Sequence, residues 1–195
     1  AAAVAITDVN STTQAYLASD DVIVATGLLN IHSTSDTDTA AAADASAVSP
    51  ASTGVGVAVA INDATAVNQA FISGAGQITA ITAGSLLIEA VMPAVGAENT
   101  FSAEAISGAG AATAGVAGAL AWNDADTRTE ALIAPGAAVI ILGGDAALTA
   151  ENTSRSTATA ASTAGGSAGV GASAAFDNAT NITRAEIEDN AVLTG

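Results

Sequence analysis

Large and very small side chains alternate along residues 55–61 of this chain. An alternation with a period of two residues is typical of a β-strand, whose side chains point to opposite faces in turn. The predicted strand has one bulky face and one very small face. The bulky face carries Val55, Val57, Val59 and Ile61, and the small face carries Gly56, Ala58 and Ala60.

A longer stretch that includes this strand occurs four times without internal gaps, over residues 3–17, 58–72, 119–133 and 173–187. Such internal repetition is the mark of repeat architectures, in which neighbouring units stack and bury a continuous core. The sequence therefore predicts one repeat array over residues 1–195, with units 1–54, 55–115 and 116–169 and a partial unit 170–195. The large residues that anchor the four copies are Ile6, Ile61, Trp122 and Phe176.

A polar pair follows each anchor, and Asn and Asp favour turns, so these pairs predict a corner. Each unit then continues with a short strand ending in Ile or Leu, a turn such as Pro135–Gly136 or residues 73–76, and two more short strands. It closes with an Ala/Ser/Thr/Gly tract such as residues 37–54. The polar pairs are Thr7 and Asp8, Asn62 and Asp63, Asn123 and Asp124, and Asp177 and Asn178.

A right-handed parallel β-helix, also called a β-solenoid, is the predicted fold. Each unit of 54–61 residues divides into roughly three rungs, and the extra residues around Met92 and Pro93 form a bulged loop in the second unit. The bulky face is predicted to be the solenoid core. Because the small face excludes Lys, Glu and Thr in every copy, we expect it to lie against another layer of backbone, within the protein or in a filament.

The alternative all-β fold is a layered stack of long antiparallel hairpins. Residues 153–164 and 167–176 flank Gly165–Gly166, which suits a hairpin turn. The small faces would then allow two sheets to approach more closely than the usual spacing of about 10 Å. Helix is disfavoured, because glycine and β-branched residues are spread throughout and the period is two.

Composition and charge narrow the possible functions. Half of the residues are hydrophobic, but most of these are alanine, and the net charge is −16 with only three cationic residues, all arginine. Nucleic-acid binding requires a basic surface, so that class is disfavoured, as is insertion into a membrane. There is no cysteine, which excludes disulfides and thiolate metal sites.

The candidate sites for chemistry are sparse. His32 is the only histidine, and its neighbours Ser33 and Ser35 lie on the same predicted strand, whereas triad members come from separate elements. Acidic clusters are weak candidates for Ca²⁺, which needs six to eight oxygen ligands, or for a carboxylate pair acting on polysaccharide. Pairs of the form Thr-x-Thr, as at Thr37 and Thr39, leave an ice-binding module open. The acidic candidates are Asp20, Asp21, Asp36 and Asp38.

The stretch VGVAVAINDATAVNQAFI (residues 55–72), followed by GSLLIEA (84–90), resembles the repeats of large secreted bacterial adhesins. These are the filamentous-haemagglutinin-like and leukotoxin-type β-strand-repeat proteins. The resemblance implies a secreted or cell-surface location and a structural rod or filament with a spacer or adhesive role. It carries no catalytic residues over to this chain. From the residues themselves we expect no cofactor apart from Ca²⁺ bound weakly by the acidic clusters.

Self-association is the partner that we expect, end to end or side by side through strand edges and Ala/Gly faces, with host or matrix glycans as possible ligands. Residues 191–195 match Val22–Gly27 of the first unit, so the array stops within a unit. We therefore expect either a window from a longer protein or a subunit whose ends meet a neighbour.

Overall fold

A computed structural model describes residues 1–18, 20–48, 52–74 and 79–195. Within these ranges every regular element is a β-strand, and no helix long and apolar enough to cross a membrane is present. The predicted turn at residues 73–76, the strand start at Ile78 and the tract 37–54 lie partly outside the described residues. The strands are β1 (Ala2–Leu17), β2 (Val22–Thr34), β3 (Asp38–Val48), β4 (Thr53–Ile72), β5 (Thr79–Val91), β6 (Asn99–Gly110), β7 (Ala114–Ile133), β8 (Ala137–Ile141), β9 (Ala146–Ala150), β10 (Ser154–Ala164), β11 (Ala168–Ile187) and β12 (Val192–Thr194).

Three sheets contain these strands, and all of their pairings are parallel. We call them the long sheet (order β1-β4-β7-β11), the alanine sheet (β10-β6-β3) and the aliphatic sheet (β12-β8-β5-β2, with β9 also beside β5). The all-β parallel architecture predicted from the sequence is confirmed. The antiparallel alternative is wrong, because β10 and β11 flank Gly165–Gly166 but belong to different sheets.

The sequence copies stack in register. Ile6 pairs with Ile61, Ile61 with Trp122, and Trp122 with Phe176, as the alignment of the anchors predicts. Each complete unit contributes to the long sheet one strand, which is followed by its strands of the aliphatic and alanine sheets. The expected division of a unit into three rungs is therefore wrong: successive strands of one sheet come from successive units. The reason is strand length, since the long strands β4, β7 and β11 have 20 residues each.

The polar pairs do not form corners. They lie inside the long strands, where Asn62 and Asn123 are fully buried and form a ladder along the stack. Asn62 Nδ2 donates to Asn123 Oδ1 at 2.7 Å, and Asn123 Nδ2 donates to Asp177 Oδ1 at 2.8 Å. The amide N–H groups of these residues thus find acceptors in the next strand of the sheet, so a continuous strand accommodates them and no turn is required.

The inner face of the long sheet is covered by the two other sheets. Its first half packs against the alanine sheet, where Ala58, Ala60 and Ala121 are fully buried. Its second half packs against the aliphatic sheet in a core of larger residues such as Ile72 and Ile133. Polar groups lie between the two apolar clusters, including the buried pair Ser33 Oγ and Asn68 Oδ1 at 2.6 Å.

The small side chains allow the long sheet and the alanine sheet to approach closely. Ser107 Oγ donates across the gap to the carbonyl of Gly56 at 2.8 Å, and Thr7 Oγ1 donates to the carbonyl of Ala40 at 2.8 Å. The hydroxyls of side chains as short as Ser and Thr reach the backbone of the opposite sheet only when the two sheets are closer than the usual spacing of about 10 Å. The small face therefore lies against a second layer of backbone, as its size predicts.

The bulky face is not the core, which corrects the second expectation for these strands. Ile6 is 68% exposed, Phe176 is 52% exposed and Val57 is 45% exposed. The alanine sheet can approach only a face of small side chains, and the long strands present that face on the opposite side. The larger residues therefore point outward, away from both covering sheets.

Two local predictions hold. Gly136 has a φ of 84°, as the second central residue of a type II turn after Pro135 requires. The extra residues around Met92 and Pro93 lie between β5 and β6, outside the strands, so the insertion lengthens a connection and leaves the sheets intact.

Candidate interaction surface

The outer face of the long sheet begins with a region that carries no charged side chain. It consists of the outward-pointing residues of segments 2–6, 55–61, 116–122 and 170–176, and we call it the apolar plateau. Val4 is 69% exposed, and Trp122, the only tryptophan of the chain, is 43% exposed. A contiguous apolar area on the surface of a protein usually marks an interaction site.

A hollow of about 320 Å³ crosses the middle of the apolar plateau. Val57, Gly118 and Ala172 pair across successive strands and form its floor. Because Gly118 has no side chain, the surface of β7 is lower here than at its outward-pointing neighbours Val116 and Leu120. The hollow is therefore a pit above Gly118, with Val57 and Ala172 on the two adjacent strands.

An aromatic column bounds the far side of the apolar plateau. The ring centroids of Trp122 and Phe176 lie 5.6 Å apart, and Ile61 and Ile6 continue the column toward β1. Two aromatic rings at this separation stabilise each other by more than the burial of their apolar surface alone would provide. In-register stacking of the anchors thus produces a continuous apolar ridge.

A column of carboxylates lies next to the aromatic column. Asp8 pairs with Asp63, and Asp63 pairs with Asp124. Asn178 follows in β11 and donates through Nδ2 to Asp124 Oδ1 at 2.8 Å. Adjacent strands of a sheet lie about 4.8 Å apart, so three negative charges are held close together along one edge of the apolar plateau. This column forms a sharp boundary between an uncharged and a negatively charged area.

The second half of the outer face carries an ion-pair cluster around Glu130, whose side chain is fully buried. Glu130 receives hydrogen bonds at 2.6 Å from Gln69 Nε2 and from Arg184 Nε, and Arg128 Nε lies 2.7 Å away. Burial opposes ionisation of this carboxyl, but the hydrogen bonds from Arg128, Gln69 and Arg184 outweigh it. The pKa of Glu130 therefore lies below its ordinary value.

The weak Ca²⁺ candidates are not brought together. Asp20 and Asp21 lie in the connection between β1 and β2, whereas Asp36 lies in the connection after β2 and Asp38 begins β3. Asp38 Oδ1 accepts hydrogen bonds from the backbone and the hydroxyl of Thr100. Among the described residues, no group of three or more His, Asp or Glu side chains is placed to hold a metal ion.

The residues weighed for catalysis or ice binding are also separated. His32 is exposed and its Nδ1 lies 3.3 Å from Glu89 Oε2, whereas the neighbouring Ser33 is buried and bonded to Asn68. His32 and Ser33 therefore point to opposite faces and do not meet. Thr37 and Thr39 are buried, so this Thr-x-Thr pair does not line an exposed face.

The apolar plateau was not found from the sequence, although its residues were. The structure places Ile6, Ile61, Trp122 and Phe176 together as predicted, but on the outside. The signal that could have shown this is the alanine tract at the end of each unit, such as residues 40–43. A strand of alternating alanines needs a partner face of small residues, and only one face of residues 55–61 is small.

Comparisons with known proteins identified no relative: no protein-family model, curated protein or solved structure matches this chain. The surface described above is therefore interpreted from its own geometry.

Proposed function

We propose that this chain is a structural segment of an extracellular bacterial surface protein, built as a right-handed parallel β-solenoid with one turn for each unit. The observation that carries the proposal is the in-register stacking of successive units in all three sheets. A unit added at either end would repeat contacts that already exist between units. The right hand follows from the strong preference for right-handed crossovers between parallel strands of one sheet.

The dimensions favour a broad structural or adhesive element over a spacer. A strand of 20 residues, as in β4, is about 66 Å long, whereas each turn adds only about 4.8 Å to the stack. A spacer built from units of this length would gain very little reach for each residue. A wide, flat face that repeats along a stack is better suited to contact with another surface.

The open edges of the long sheet support self-association end to end. The carbonyl of Ala1 accepts a hydrogen bond from the N–H of Val57 in β4, and the carbonyl of Leu17 accepts one from the N–H of Ser73 just after β4. The odd residues of β1 therefore bond toward β4, and the even residues direct their N–H and C=O groups away from it. Unpaired groups at a sheet edge are a template for another strand. If β1 of a second copy paired with β11 in the same register, Ile6 would lie beside Phe176 and Asp8 beside Asn178.

An extracellular location rests on composition and on the resemblance to secreted adhesin repeats. The chain contains no cysteine and no lysine, and its net charge of −16 keeps an otherwise apolar surface soluble by self-repulsion. A matched pair of variants tests the stacking part of the proposal. Thr12→Pro removes one outward N–H of β1 and leaves the bonds to β4, whereas Thr12→Ala keeps that N–H.

We expect the wild type and Thr12→Ala to form end-to-end assemblies in sedimentation velocity and electron microscopy, and Thr12→Pro to remain dispersed with the same far-UV circular dichroism. Assemblies in all three proteins, or dispersed particles in all three, would contradict stacking through the β1 edge.

A further inference from the structure

We propose that the apolar plateau is a second, independent interface, through which two copies of this chain pair face to face. The occupant is a second copy with its strands antiparallel to those of the first. This pairing uses the outer face of the long sheet, whereas end-to-end stacking uses the sheet edges. The two proposals therefore do not depend on each other.

The distribution of charge selects the orientation. Two facing sheets can be related by a two-fold axis along the strands or along the stacking direction. An axis along the strands would place the column of Asp8, Asp63 and Asp124 over its own copy, with six carboxylates in contact. An axis along the stack moves the two columns to opposite rims of the interface, where like charges are well separated. The second arrangement is the one that the charges allow.

The relief of the surface fits the same axis. With the axis between the columns of residues 57 and 59, Gly118 of one copy faces Leu120 of the other. Leu120 of one copy then enters the hollow above Gly118 of the other, and the contact is repeated by symmetry, as an isologous interface requires. Trp122 of one copy meets Val116 of the other in the same way. The side chain that borders the hollow of about 320 Å³ in one copy thus enters the same hollow in the other.

The area predicts a weak and reversible dimer. The apolar plateau measures about 23 Å by about 19 Å, so a pair buries roughly 900 Å², which lies below the area of standard stable complexes. The net charge of −16 on each copy opposes association. Added salt should therefore strengthen the dimer, because it screens this repulsion.

Analytical ultracentrifugation tests this inference on the full chain carrying Thr12→Pro, which blocks stacking through the β1 edge, over a wide concentration range and together with the fluorescence of Trp122. We expect a monomer–dimer equilibrium and a blue shift of the Trp122 emission that grows with concentration and with salt. Leu120→Asp should weaken the dimer at least tenfold. Val24→Asp, on the outer face of β2 where Val24 is 73% exposed, should leave the dimer unchanged.

Gly118→Leu separates a fitted interface from general stickiness. It makes the apolar plateau more hydrophobic but fills the hollow, and a Cβ at this position meets nothing closer than 3.9 Å within the chain, so the fold has room for it. A fitted dimer is weakened at least tenfold by this change. Stronger association of Gly118→Leu, a monomer at every concentration, or larger species that Leu120→Asp leaves unchanged would overturn the inference. Binding of zwitterionic lipid vesicles that Gly118→Leu retains would also overturn it.

Discussion

The two faces of the long sheet reverse the usual relation between side-chain size and burial. In the first half of β4 the inner face is Gly56, Ala58 and Ala60, all buried, whereas Val55 and Val57 on the outer face are about half exposed. In the second half of the same strand, Ile72 points inward and is fully buried. One strand thus buries small residues at one end and a large one at the other.

The difference shows that the facing layer decides which residues are buried. The alanine sheet offers methyl groups and close backbone contact, so only small residues fit beneath it. The aliphatic sheet offers Ile81, Leu86 and Ile88, so larger residues pack there. Hydrophobicity alone would have assigned Val57 to the interior. The close packing between the long sheet and the alanine sheet leaves no space for a valine side chain there.

The largest effect is expected from charge on the inner face. Ala58→Glu with Ala60→Glu buries two carboxylates among the alanine side chains between the long sheet and the alanine sheet, at a cost of several kcal/mol for each. We expect loss of the β-sheet circular dichroism signal at neutral pH. Val57→Glu with Val59→Glu places the same charges on the outer face of the same strand and should leave a folded protein. Equal stability of the two double variants would show that the small face is exposed to solvent and is not buried against the alanine sheet.

An intermediate effect is expected from a single methyl group. A Cβ added to Gly56 would lie 2.4 Å from the carbonyl oxygen of Gly108, so Gly56→Ala must push the two sheets apart, at about 1–3 kcal/mol. On the outer face Gly118→Ala has open space and should be neutral or stabilising by about 0.5 kcal/mol. Urea unfolding followed by circular dichroism measures both. A Gly56→Ala variant as stable as Gly118→Ala would show that the layers are not in close contact.

The smallest effect concerns the pH dependence of the outer face. Since the folded-state pKa of Glu130 is lowered from its ordinary value of 4.5, its contribution is complete above that pH and is lost as the pH falls through the folded-state pKa. We expect the wild type to have a higher melting temperature than Glu130→Gln at pH 7. The difference between the two melting temperatures should shrink below about pH 4.5. Thermal melts of both proteins over this range provide the measurement. A constant difference would mean that Glu130 is not ionised within the cluster.

Much of the architecture could be predicted. The four copies fixed the register, because residues that stack on their own kind in a parallel sheet leave the same pattern in each unit, as Ile6 and Ile61 do. The number of residues in one turn of the stacked array could not be predicted from the residues that favour β-turns. Asn62–Asp63 has the composition of a corner, but Asn62 Nδ2 finds its acceptor in Asn123 of the next strand, which only the assembled stack provides.

The candidate surface was predicted only as a set of residues. The column of Asp63 and Asp124 and the column of Trp122 and Phe176 follow directly from the repeat, since equivalent positions in stacked strands become neighbours. Which face of these columns points to solvent does not follow from it, because both faces of the strand are apolar and the pattern has no polar side to mark the outside.

The sequence by itself determined the period, the register and the separation of large from small residues, since these are local properties of a strand and of its copies. Only the tertiary structure decided which face is buried. That choice depends on the second sheet, formed by β3, β6 and β10, whose alanines allow a close approach. The strand segment that begins at Val55 therefore packs its small inner face against the alanine sheet, and its bulky outer face forms part of the apolar plateau.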